Sequence, residues 1–260
     1  MNGTEFSLCG KNGVNEIMEL PIGYDGIVLV TRKDAPRLVL TRQQIWMAVA
    51  KEVPSRGQLV PNPYMRWAQI DAKLPDWPIE VLGPPRTSGT RDSFTDLVLL
   101  SGCQGSAEVN AISDINRRKA VCSTVREDGR WVDSGEDDTR IVAKIVNAPI
   151  GLVGIFGYSF LTENSERLEG ALVEGVRPIP AEIASGQYPL ARPLYLYVKR
   201  PNLKLVPNLA AFLAEYVSEG AMGPSGYLVK HGLVPLEAAQ RTRLRADVES
   251  RVIMLRRPGS

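Results

Sequence analysis

The chain has 260 residues, 44% of them apolar and 23% charged, and a net charge of +2. That length holds one large domain or two smaller ones, and the composition is globular. The near-neutral balance argues against a nucleic-acid-binding protein, which concentrates basic residues on one face, and no long apolar run marks a membrane span.

The first element is a strand over 22–30. Ile27-Val28-Leu29-Val30 is continuously apolar, as in a strand buried on both faces of an α/β sheet. Thr41 caps a helix running to Ala50, with Ile45, Trp46 and Val49 as its stripe. Residues 53–78, rich in proline and polar side chains, read as a long loop anchored by Trp67 and Trp77. A short strand at 79–82 is broken by Gly83-Pro84-Pro85. Thr87-Ser88-Gly89-Thr90-Arg91-Asp92-Ser93-Phe94 then turns into a helix, because Phe94, Leu97 and Val98 recur at helical spacing. Gly102 stands where that helix would end. Residues 121–125 alternate like a strand, and the Asp128-Gly129 turn suggests a hairpin over 126–132.

A helix is expected over 138–146, with Ile141, Val142 and Ile145 on one face. Residues 150–158 form a glycine-laced apolar strand. Its Gly151, Gly154 and Gly157 do not have dinucleotide-fingerprint spacing, and no helix clearly opens from it. Residues 194–199 alternate as a strand. A helix over Asn208–Ser218 follows, with Leu209, Phe212, Leu213 and Tyr216 together and Gly220 at its end. Strands alternating with helices give an α/β architecture.

The chemistry concentrates at residues 86–91. Backbone N–H groups at a helix start attract anions. Gly89 lets an oxyanion approach the backbone, Ser88 and Thr90 offer hydroxyls, and Arg91 or Arg86 offers a planar fork. The plain alternative is an ordinary N-cap. Arg117-Arg118-Lys119 and the later group Arg241, Arg243, Arg245, Arg251, Arg256 and Arg257 read as solvated helix faces. Glu136-Asp137-Asp138 reads as a helix cap rather than a metal site. Cys9, Cys103 and Cys122 lack zinc spacing, and Cys103 with Cys122 is either a disulfide or two buried thiols. His231, the sole histidine, sits beside Gly232 as a loop residue and leaves no Ser-His-Asp set. No catalytic residue, metal or cofactor is expected.

Five segments in register resemble the phosphate-binding protein of bacterial phosphate ABC transporters. Val14–Glu19 leading to Gly23–Val28 resembles the strand that leaves the first lobe, and Ser88–Phe94 its Ser-Gly-Thr phosphate loop. Cys122–Gly129 is similar to a subgroup with a second-lobe cysteine pair. Ile150–Tyr158 and Ile183–Tyr195 look like two further family segments, the second crossing back to the first lobe. The resemblance implies a two-lobed periplasmic-binding-protein fold of type II kind. Residues 31–190 would be the second lobe, and 1–30 with 191–260 parts of the first. It implies Ser88, Gly89, Thr90 and Arg91 as phosphate ligands. Other members carry an arginine four positions before the serine; Pro84 stands there, and Arg86 lies two before. With an oxidising location, the resemblance also favours a Cys103–Cys122 disulfide.

Family members begin upstream, with a signal peptide, a first strand and a further phosphate loop. On this resemblance the chain starts after them, so the first lobe is expected to be incomplete. The implied function is periplasmic capture of inorganic phosphate and delivery to a membrane permease, by a monomer that is not an enzyme. The alternatives are another oxyanion (sulfate, molybdate or tungstate) and an enzyme that holds a phosphorylated substrate with the same loop.

Overall fold

The computed structural model describes residues 1, 3–135 and 137–255. In chain order the strands are β1 Ile17–Arg32, β2 Val39–Leu40, β3 Glu52–Ser55, β4 Gln58–Pro61, β5 Glu80–Gly83, β6 Trp131–Asp133, β7 Leu152–Gly157, β8 Leu168–Gly170, β9 Leu172–Val173 and β10 Ala191–Lys199. The chain forms two compact units. One is Gly26–Ala191; the other joins Met1–Asp25 to the segment from Arg192 onward.

In the Gly26–Ala191 unit, β5 lies between β6 and β7 and runs parallel to both. The second half of β1 pairs antiparallel with β7, and β8 adds to its end. Ile27–Val30 and Val153–Phe156 are buried throughout, which is why these segments read as unbroken apolar runs. Helix Arg42–Val49 is capped by Thr41 and Gln44 reciprocally and buries Ile45, Trp46 and Val49. Helix Asp138–Asn147 buries Ile141, Val142 and Ile145.

Several expected elements differ. Residues 121–125 are not a strand: Val121 and Cys122 lie on helix Ile115–Ser123, whose N-cap Asp114 accepts from the amides of Asn116 and Arg117 at 2.8 and 3.1 Å. No hairpin forms over 126–132, because Arg126 turns inward and β6 joins β5 in parallel instead. The 53–78 region holds a β3–β4 hairpin, turned at Arg56 and Gly57 with positive φ, and a short helix Trp67–Ile70. Trp67 is fully buried and Trp77 half-buried. Gly102 does not end its helix. A Cβ there would stand 2.4 Å from the Arg42 carbonyl oxygen, so the glycine permits close helix contact. A helix, Tyr158–Glu163, does open directly from β7.

In the other unit, Met18, Leu20 and Ile22 of β1 pack with Val198 of β10 and with Leu213, Val217, Met222, Leu236 and Leu244. On helix Leu209–Tyr216 Leu213 is buried with Leu209 and Tyr216 packed beside it, while Phe212 is 54% exposed with its ring 5.7 Å from that of Tyr216. Helix Ala238–Glu249 is not solvated all along. Arg241 is buried and donates to Glu219 at 3.1 Å and to the Leu236 carbonyl at 2.6 Å. Arg117 and Lys119 are exposed as expected; Arg256 and Arg257 lie outside the described residues.

Candidate anion site

Residues 84–91 follow the C-terminal end of β5, beside the same end of parallel β6. Such ends open into the crevice where α/β sheets bind ligands. Gly83 lies against the Trp131 indole so closely that a Cβ would stand 1.9 Å from the ring. Pro84 and Pro85 then stop the strand, and Ser88 N–H donates to the Pro85 carbonyl at 3.0 Å. Ser88 is the N-cap of helix Gly89–Phe94. Its Oγ accepts from Thr90 N–H at 3.2 Å, and its carbonyl accepts from Arg91 N–H at 2.9 Å. The helix continues through a π segment, Thr95–Leu100, to Cys103.

A cavity of about 260 Å³ opens here. Ser88 and Thr90 line one wall; Ser134 and Gly135 after β6, and Phe156 and Gly157 at the end of β7, line the others. Among the described residues no charged side chain lines it. Gly89 has open space where a Cβ would stand. Ser88, by accepting from Thr90, keeps its hydroxyl proton for a ligand, and the helix start adds partial positive charge. Hydroxyl donors at a helix start, in a polar cavity without carboxylates among its described lining, suit a small oxyanion.

The two arginines stand apart from the lining. Arg86 is exposed, its guanidinium 3.9 Å from Glu127. Arg91 is buried over Trp131, with its guanidinium carbon 4.5 Å from the ring centre. Its Nη1 donates to the Pro84 carbonyl and to Asp133 Oδ1, both at 3.2 Å. Burial lowers the Arg91 pKa from its usual value, and Asp133 opposes that shift. Sequence reasoning missed Ser134 and Gly135. Their only signal was the end of a short strand, hidden by the expected hairpin.

Other candidates fall elsewhere. Asp137 is the N-cap of helix Asp138–Asn147 and accepts from Arg140 N–H at 3.1 Å; Glu136 lies outside the described residues. Among the described residues no group of His, Cys, Asp and Glu is arranged to hold a metal. His231 is exposed at the end of helix Tyr227–Lys230. Cys103 and Cys122 form a disulfide with Cα atoms 5.6 Å apart, and Cys9 is free.

Residues 1–219 match the PBP superfamily domain, and the chain belongs to that superfamily. It is 26% identical over 246 residues to Protein SphX of Synechococcus elongatus, an alignment covering 92% of this chain and 61% of SphX. It is 27% identical over 192 residues to the phosphate-binding protein PstS of Staphylococcus saprophyticus, covering 72% of this chain and 48% of PstS. The chain thus spans about half to three-fifths of the length of these relatives. Its fold is similar to a possible phosphate binding protein from Planctomyces limnophilus, with a TM-score of 0.65 at 22% identity, covering 96% of this chain and 78% of that one. A phosphate-binding protein from Stenotrophomonas maltophilia gives 0.63 at 16% identity, covering 95% of this chain and 76% of that one. The mixed α/β fold is the one these solved proteins share.

Proposed function

We propose that this chain binds inorganic phosphate outside the cytoplasm, as the substrate-binding component that serves the membrane permease of an ABC importer. It acts as a monomer, needs no cofactor or nucleic acid, and performs no catalysis. The observation that carries this reading is the cavity lined by Ser88 and Thr90 at a helix start, where parallel strands end. The names of the relatives, phosphate-binding proteins, support the same ligand.

In this reading the Ser88 and Thr90 hydroxyls donate to phosphate oxygens, and Gly89 lets one oxygen reach the backbone. Arg86, exposed beside the loop, adds attraction at longer range. Arg91, paired with Asp133 outside the cavity lining, holds the loop rather than the ligand. The Gly26–Ala191 unit corresponds to the second lobe, and the remaining residues to the first.

A thermal-shift screen tests the ligand. A molecule that binds only the native state stabilises it, by about 2.7 kcal/mol at a hundred times its Kd. Phosphate is expected to raise the melting midpoint more than sulfate, molybdate, tungstate or phosphate esters do. A larger shift with another oxyanion reassigns the ligand; a larger shift with a phosphate ester favours an enzyme; no shift overturns the reading.

A further inference from the structure

We infer that Asp133 and Trp131 are positioning residues of the anion site, acting through Arg91 to fix the loop that carries Ser88 and Thr90. The inference rests on the phosphate reading above, which places that loop against the ligand. The geometry is a closed brace. Arg91 Nη1 donates to the carbonyl of Pro84, where the loop begins, and to Asp133 Oδ1 on the neighbouring strand. Trp131 Nε1 donates to the same Oδ1 at 2.7 Å, and its ring lies under the guanidinium. Ser134 adds two bonds to the same end of β5: its N–H and its hydroxyl each donate to the Gly83 carbonyl at 2.9 Å. Arg91, in the first turn of helix Gly89–Phe94, is thus tied to β6 through Asp133, while the start of the loop is tied to Arg91 at Pro84 and to Ser134, just after β6, at Gly83.

Such an arginine is occupied. Its side chain is 9% exposed, its charge is neutralised by Asp133, and it does not line the cavity. A guanidinium buried between a carboxylate and an indole face stabilises what it connects. Holding a binding loop in its productive geometry is how such groups raise affinity without touching ligand.

The rival account makes Arg91 a phosphate ligand that Asp133 holds back. The two accounts differ in the sign of one substitution. Removing a carboxylate beside an anion site, and freeing a cation, should tighten anion binding; breaking a brace should weaken it. We expect Asp133→Ala to weaken phosphate binding about tenfold, the scale of one charged hydrogen bond. Arg91→Ala should match it, and the double variant should be no worse than either. Hydrogen exchange without phosphate should speed up at the amides of Ser88, Thr90 and Arg91 in Asp133→Ala, while amides of the other unit stay unchanged. Phosphate binding by Asp133→Ala as tight as in the unmodified chain, or tighter, overturns the inference, as do additive losses. If the unmodified chain binds no phosphate, the functional reading alone fails. The brace is then decided by exchange, and unchanged protection of the loop overturns it.

Discussion

Arg126 is 3% exposed, and its guanidinium joins three separate segments of the Gly26–Ala191 unit. Nη1 donates to the carbonyls of Ala48 at 3.1 Å and Tyr64 at 2.8 Å, and Nε donates to Asp128 Oδ1 at 2.8 Å. These contacts tie the end of helix Arg42–Val49 and the Tyr64 loop to the segment before β6. Nothing in the spacing of the sequence marks this arginine, since a buried cation is specified by partners far away in the chain. The Arg126 hydrogen bonds hold the Asp128 carboxyl below the usual carboxylate range. A carboxyl with a lowered folded pKa adds stability that is present above its unfolded pKa, about 3.9, and is lost as pH falls through the folded value. Asp128→Asn should therefore cost about 1 kcal/mol at pH near 7, below the usual worth of a charged hydrogen bond because Asp128 is 47% exposed and screened by solvent. Urea titrations of the two proteins should show that gap closing below about pH 4. A gap of equal size at both pH values contradicts the account.

Elements were legible where one residue announces a boundary and the buried face repeats. Thr41 with Gln44, and the stripe Ile141, Val142 and Ile145, are of this kind. Helix Ile115–Ser123 was legible only as the solvated face at Arg117-Arg118-Lys119; its last turn was not, because it buries only Val121 and Cys122. Those two, with Val125 beyond them, imitate alternation; Asp114 as a cap was the available signal. The anion loop was legible at Ser88, Gly89 and Thr90, since a helix start is written locally. The place of Arg91 was not, because Trp131 and Asp133 lie some forty residues on. The Cys103–Cys122 bridge links the last residue of helix Ser101–Cys103 to helix Ile115–Ser123 at a sequence separation of 19. Opening it by replacing both cysteines with alanine should cost about 3 kcal/mol. Chemical denaturation measures this, and a variant as stable as the disulfide-bonded chain would count against a stabilising bridge. Replacing Cys9 should have no such effect.

At the scale of the molecule, the chain passes from one compact unit to the other within β1 and returns where β10 begins. That interrupted connectivity has no local signature, and only the in-register resemblance to phosphate-binding proteins suggested it from the sequence. The proposed phosphate site lies within one unit, at the Ser88–Thr90 loop beside the ends of β5 and β6. Isothermal titration of phosphate into the full chain, and into its Thr90→Ala variant, tests it most directly. Saturable binding by the unmodified chain is expected, with a loss of about 1.5–3 kcal/mol in the variant, the worth of a hydrogen bond to a charged group. Unchanged phosphate affinity in Thr90→Ala would contradict it.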